Sequence, residues 1–126
     1  MVDRLRLEER RNSFRYAFRG IATMFRAEFN AQVHALAALI VVASGLALGI
    51  DPFEWLILVL TIAGVISLEA VNTAFEALCD VAYPDFHPQV ERAKDVAAGA
   101  VLIAAIAAAV VGILIFGPKL LAILQP

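Results

Sequence analysis

Three long apolar runs constrain this chain more than any other feature. The first spans Val33 to Ile50 and is closed by Asp51-Pro52. The second runs from Phe53 to about Leu78, and the third from Val96 to Phe116, before Gly117-Pro118-Lys119. Each is near or above the roughly 18–20 residues that cross a hydrocarbon core as a helix. None alternates with the period of a strand, and only helices or closed barrels can span lipid, so the runs read as helices. The expected architecture is an all-α integral membrane protein with transmembrane spans at about 33–50, 53–78 and 96–116 in a single domain. Composition supports this, since 62% of the 126 residues are hydrophobic and 17% charged, against about 45–50% and about 25% in soluble domains. A single cysteine, Cys79, rules out a disulfide scaffold. A net charge of −2 without a basic patch interleaved with aromatics argues against nucleic-acid binding.

The positive charges are unevenly placed. Arg4, Arg6, Arg10, Arg11, Arg15, Arg19 and Arg26 precede the first span, and Arg92 and Lys94 lie between the second and third. The link Gly49–Glu54 carries no Lys or Arg, and the C-terminal end has only Lys119. The positive-inside rule then puts the N-terminus and the second link in the cytoplasm, with Phe53 and Trp55 at the outer interface. A cleavable leader is not expected, because the first 30 or so residues are charged and lack an apolar core.

The segment from about 9 to 32 has a different character. Phe14, Phe18, Ile21, Phe25 and Phe29 recur at three- and four-residue steps, with Arg15, Arg19 and Arg26 on one flank. This pattern predicts an amphipathic helix lying in the membrane surface. Glu28 falls about 40° from Phe14 on such a helix, at the edge of the apolar stripe.

Twelve acidic residues conflict with so apolar a chain. In the second span, Glu69, Asn72, Thr73, Glu76 and Asp80 are separated by 3, 4, 7 and 11 residues from the first, which places them on one stripe. Ionisable groups inside a bilayer cost at least about 2.5 kcal/mol each, so this stripe must face protein, water or a ligand. Glu69 and Glu76 stand about 10.5 Å apart along the axis, too far to share one proton. The deeper Glu69 suits a base acting on a lipid-dissolved reactant. Glu76, nearer the cytoplasm, suits a polar cofactor, with Glu28 as a partner carboxylate for Mg²⁺. Asn72 and Thr73 also read as interhelical hydrogen-bonding residues, and Asp80 as an exposed helix end.

The second link contains Tyr83-Pro84-Asp85-Phe86-His87-Pro88 and leads into a helix starting near Pro88 or Glu91. Lys94 is placed to meet a phosphate, or to anchor the inner interface. His87 reads first as a turn residue, and His34 carries less signal still. No glycine-rich nucleotide cradle is present.

The run Glu69-x-x-Asn72-Thr73-Ala74-x-Glu76-x-x-x-Asp80, followed by His87-Pro88 and Ala93-Lys94-Asp95-x-Ala97-Ala98-Gly99-Ala100-Val101, resembles the prokaryotic diacylglycerol kinase family, which includes undecaprenol kinases. The likeness extends from about Ser13-Phe14-x-Tyr16-Ala17 to Pro118-Lys119. It implies a membrane lipid kinase, active as a homotrimer with sites shared between subunits, that moves the ATP γ-phosphate to a lipid hydroxyl with Mg²⁺. Glu69 matches the general base, and Glu28 and Glu76 match the metal ligands. Tyr16, Asp85, Phe86, His87, Lys94 and Asp95 match ATP contacts, together with the two metal-binding carboxylates. Asn72 and Asp80 match supporting polar residues. Ala97, Ala98, Gly99 and Ala100 would allow the close helix contacts of an oligomer.

Two departures bear on the lipid. Ala31 and Gln32 precede His34 where undecaprenol-type members usually carry an aromatic and an arginine, and Glu91-Arg92 stands where lysines are common. The short first link and the Phe-Gly-Pro-Lys end are nearer the undecaprenol branch. The expected substrate is therefore undecaprenol, with diacylglycerol as the alternative. From other classes, the intramembrane carboxylates would also suit a small ion-coupled transporter or a non-catalytic assembly subunit. Against a transport path, the polar residues stop at Glu69, and the outer halves of the spans are apolar.

Overall fold

In a computed structural model the chain forms four helices: α1 (Val2–Ala27), α2 (Phe29–Leu48), α3 (Pro52–Ala82) and α4 (Pro88–Leu124). The structure describes residues 2–125, and side chains from residue 9 onward. Arg4 and Arg6, expected among the inward-facing positive charges, thus have side chains outside the described residues. Helices α2, α3 and α4 are long and apolar enough to cross a membrane.

The turns are written in local chemistry. Helix α2 stops at Gly49, whose φ of 61° lies in the left-handed region and whose N–H reaches the Gly45 carbonyl. Asp51 then caps α3. Its carboxylate accepts from the N–H groups of Phe53 and Glu54 at 2.8 and 2.9 Å, while Glu54 Oε2 accepts from the Asp51 N–H at 2.9 Å. Pro52 supplies the first helical residue, where a missing N–H costs nothing. Helix α3 ends just before Pro84, and α4 begins with His87 as cap and Pro88 behind it.

Three boundaries differ from those expected. Residues 9–32 do not form one helix, because the chain breaks at Glu28, which is extended (φ −101°, ψ 119°). Helix α3 continues to Ala82, and α4, which starts at Pro88 as expected, runs past Phe116 to Leu124. Gly117-Pro118 does not stop α4. Pro118 removes one ladder bond, but Ile115 and Phe116 are buried before it, and Lys119 after it pairs with Glu54 of α3 at 3.0 Å. These contacts hold the last turns in place.

The apolar core lies at the α2–α3 turn. Ile50, Leu58, Ile115 and Phe116 are buried there, supported by Val41, Leu48, Trp55, Ile57, Ile62 and Val111. Gly45 makes this approach possible, since a Cβ on it would lie 3.0 Å from both Ile50 Cδ1 and Trp55 Cη2. Elsewhere the chain buries little of itself: no more than 22% of any apolar window is covered. Such a surface is stable only against lipid or further protein.

Length locates the polar stripe. Helix α3 has 31 residues and is about 46 Å long, against a hydrocarbon core of about 30 Å. With Phe53 and Trp55 at one interface, about 20 residues cross the core, ending near Asn72. On that count Glu69 falls near the end of a core-length stretch, and Glu76 and Asp80 fall beyond it.

Candidate active site

The polar stripe of α3 forms one continuous arrangement. Glu69 is 2% exposed and Asn72 7% exposed, the two buried polar side chains among the described residues. Four residues on from Asn72, Glu76 Oε1 accepts from the Asn72 amide at 3.0 Å. This bond turns one oxygen of Glu76 toward its own helix and leaves the other free. The Asn72 carbonyl oxygen and the Thr73 hydroxyl are buried with no hydrogen-bond partner. Buried polar atoms are ordinarily paired, so two orphans side by side mark a place where a polar ligand or water belongs.

Two neighbouring elements complete the site. The Glu28 break delivers its carboxylate from the α1–α2 junction: Glu28 is the N-cap of α2, yet its side chain makes no capping bond and stays half-buried. Met24 and Ala31, on either side, are buried and press the junction inward. Helix α1 touches α3 as well as α2, so the junction lies against the helix that carries the stripe. From the other side, Lys94 of α4 reaches across to Asp80 of α3, Nζ to Oδ1 at 3.0 Å. The stripe thus runs from a buried carboxylate at Glu69 to a half-exposed ion pair at its end.

Other expected site residues stand apart within this single chain. Tyr16 is 56% exposed on α1, its ring flanked by the guanidinium carbons of Arg15 and Arg19 at 5.4 and 5.7 Å. Asp85 and Phe86 are exposed in the α3–α4 link. The Nδ1 of His87 accepts from the Gln89 N–H at 3.2 Å, and its ring lies 5.8 Å from that of Tyr83, so it has the turn role first expected of it. Asp95 is exposed one residue after Lys94. Among the described residues no hydrogen bond or ion pair joins these five to the carboxylate cluster.

The donor set is suited to a hard cation shared with a polyphosphate. Among the described residues no three His, Cys, Asp or Glu groups are arranged to hold a metal alone. Mg²⁺ does not need them, because it commonly takes one or two carboxylates and completes its shell with phosphate oxygens and water. On α3 the free oxygen of Glu76, on the same stripe as the orphaned atoms of Asn72 and Thr73, fits one such donor, and Glu28 is a carboxylate left without a capping bond.

Sequence reasoning gave His34 little weight, and in the fold it is half-buried on the wall of a cavity between α2, α3 and α4. A signal was available: His34, Ala37, Ala38 and Val41 share one face of α2 by their spacing of three, four and seven.

A family model described as prokaryotic diacylglycerol kinase matches residues 15–116. The chain is 44% identical to an undecaprenol kinase of Bacillus subtilis over 108 residues, covering 86% of this chain and 88% of that protein. It is 37% identical to a diacylglycerol kinase of Synechocystis sp. over 113 residues, covering 89% of this chain and 65% of that one.

Proposed function

The chain belongs to the prokaryotic diacylglycerol kinase family of membrane lipid kinases, and on that premise we propose that it phosphorylates undecaprenol at the cytoplasmic face of a bacterial plasma membrane. The observation that carries the site assignment is Glu69, a carboxylate 2% exposed at the inner edge of an apolar span, continuous with polar groups that lead out of the membrane. The fuller likeness to the undecaprenol kinase relative, which is matched over 88% of its length, supports the choice of lipid.

Each residue has a defined role in this reading. Glu69 accepts the proton of the lipid hydroxyl as its oxygen bonds to the γ-phosphorus, and the bond to ADP breaks in line. Glu28 and Glu76 would hold Mg²⁺, with Asn72 orienting Glu76. When bound, Mg²⁺ neutralises charge on the phosphate oxygens. Lys94, released from Asp80, meets the phosphates as a point charge. Tyr16, Asp85, Phe86, His87 and Asp95 contact the nucleotide in a homotrimer whose subunits share each site. A shared site accounts for those groups standing apart in one chain. Helix α1 lies in the cytoplasmic membrane surface, its uncovered Phe14, Phe18 and Ile21 facing lipid.

Purified protein in nanodiscs, supplied with Mg·ATP and either undecaprenol or diacylglycerol, tests this directly. Undecaprenyl phosphate as the preferred product is expected. Faster phosphorylation of diacylglycerol would reassign the substrate, and no phosphorylated lipid from either would overturn the reading.

A further inference from the structure

The chain has six serine and threonine residues, all within helices. Ser13, Thr23, Ser44 and Thr61 each donate to the carbonyl four residues back, at 2.7 to 3.0 Å. That is the ordinary bond for a hydroxyl inside a helix. Ser67 is exposed. Thr73 is the exception: its hydroxyl is buried and takes no partner, although the Glu69 carbonyl stands four residues back. The carbonyl oxygen of the preceding residue, Asn72, is also buried without a partner, while its amide is committed to Glu76.

Helical register places these two atoms around the candidate base. Asn72 lies about 60° to one side of Glu69 and Thr73 about 40° to the other, about 4.5 and about 6 Å further along the axis. They flank the line from Glu69 to Glu76. Exposure rises along that line, from 2% at Glu69 and 7% at Asn72, through half-buried Glu76, to 68% for the Asp80 side chain. Phosphorylation of a hydroxyl liberates a proton, which Glu69 takes up and must lose before the next turnover. A base so buried cannot pass it directly to bulk water.

We propose that the Thr73 hydroxyl and the Asn72 carbonyl oxygen hold a water beside Glu69, and that the proton taken from the lipid hydroxyl leaves the site through it. This rests on the kinase reading above and deepens it. The water accepts from the Glu69 carboxylic acid and from the Thr73 O–H, and donates to the Asn72 carbonyl oxygen and outward along the stripe. Up to about four such bonds are usual for a buried water, and both orphaned atoms gain a partner. The Glu69 O–H bond breaks as its proton moves to the water oxygen. One of the water's own O–H bonds breaks as a proton passes outward to bulk solvent. Water and carboxylate are both restored, with one proton released for each lipid phosphate formed. Thr73 touches neither reactant and is a positioning residue for this transfer.

The test follows two clocks in one turnover of the full chain in nanodiscs with undecaprenol and Mg·ATP. Acid quench reads lipid phosphate, and a pH-indicator dye in weak buffer reads the proton. At about pH 8 a phosphate monoester, with a second pKa of about 6, retains no proton. In wild type the two curves should coincide. In Thr73→Val, which keeps the shape and removes the hydroxyl, lipid phosphate should form at the wild-type rate while the proton lags. Its kcat should fall about tenfold, as for one lost hydrogen bond, with both KM values unchanged. Thr73→Ser should restore the coincidence. The melting temperature of Thr73→Val should equal or exceed that of wild type, because an orphaned hydroxyl is replaced by a methyl group. Coincident curves in Thr73→Val overturn the inference, and so does a raised KM or a lowered melting temperature, the marks of an interhelical bond. Wild type that forms no lipid phosphate overturns the kinase reading and this inference with it, whereas normal turnover by Thr73→Val overturns the inference alone.

Discussion

The Asn72 amide donates to Glu76 at 3.0 Å, one turn along the same helix, while the Asn72 carbonyl oxygen stays buried and unpaired. Asn72 therefore orients a carboxylate while keeping an acceptor in reserve. Asn72→Ala should free Glu76 to rotate and raise the KM for Mg·ATP several-fold, in line with the loss of one hydrogen bond to a charged group. Steady-state kinetics with ATP varied at saturating lipid measure this. An unchanged KM would remove the orienting role.

Glu69 is the only carboxylate of the stripe that is fully buried among the described residues. Glu69→Gln keeps the shape and removes the base, so kcat should fall by about 10²–10⁴-fold. Binding of a non-hydrolysable ATP analogue, read by calorimetry, should stay near wild type. Wild-type turnover would exclude Glu69 as the base.

Glu28 and Glu76 lie on different elements, one at a helix break and one within α3. Each changed to Gln should demand more Mg²⁺ for half-maximal activity, and chelation of divalent ions should stop turnover in the wild type. Activity that survives chelation would refute the metal assignment.

Lys94 and Asp80 form a partly exposed pair, with side-chain exposures of 29% and 68%. Exposed pairs contribute little to stability, so Lys94→Ala should leave the melting temperature close to wild type while raising the KM for ATP. A large fall in melting temperature with normal ATP kinetics would make Lys94 a structural anchor instead.

Gly45 is pressed against Ile50 and Trp55 at the α2–α3 turn, away from the stripe that runs from Glu69 to Asp80. Gly45→Val should destabilise by about 1–3 kcal/mol through overpacking. Thermal denaturation in detergent should show this, while the KM values of the surviving folded protein stay unchanged. A neutral effect would mean the α2–α3 turn has room that the structure denies.

By itself, the sequence determined the three apolar spans, the turn at Asp51-Pro52 and the polar stripe from Glu69 to Asp80. These features depend on hydrophobic length, capping chemistry and helical periodicity, which act between neighbours in the chain. The Glu28 break was not legible, because its flanks share the helical pattern; it coincides with the burial of Met24 and Ala31 on either side. Nor was the continuation of α4 past Pro118, where Lys119 pairs with Glu54, sixty-five positions earlier in the chain. His34 illustrates the same division. In the sequence it is an isolated histidine at the start of a span, and only the packing of α2 against α3 and α4 places it on the wall of a cavity between them. Local rules decide which residues share a face of a helix. Which faces meet depends on side-chain packing between segments distant in sequence, and that was settled only in the tertiary structure.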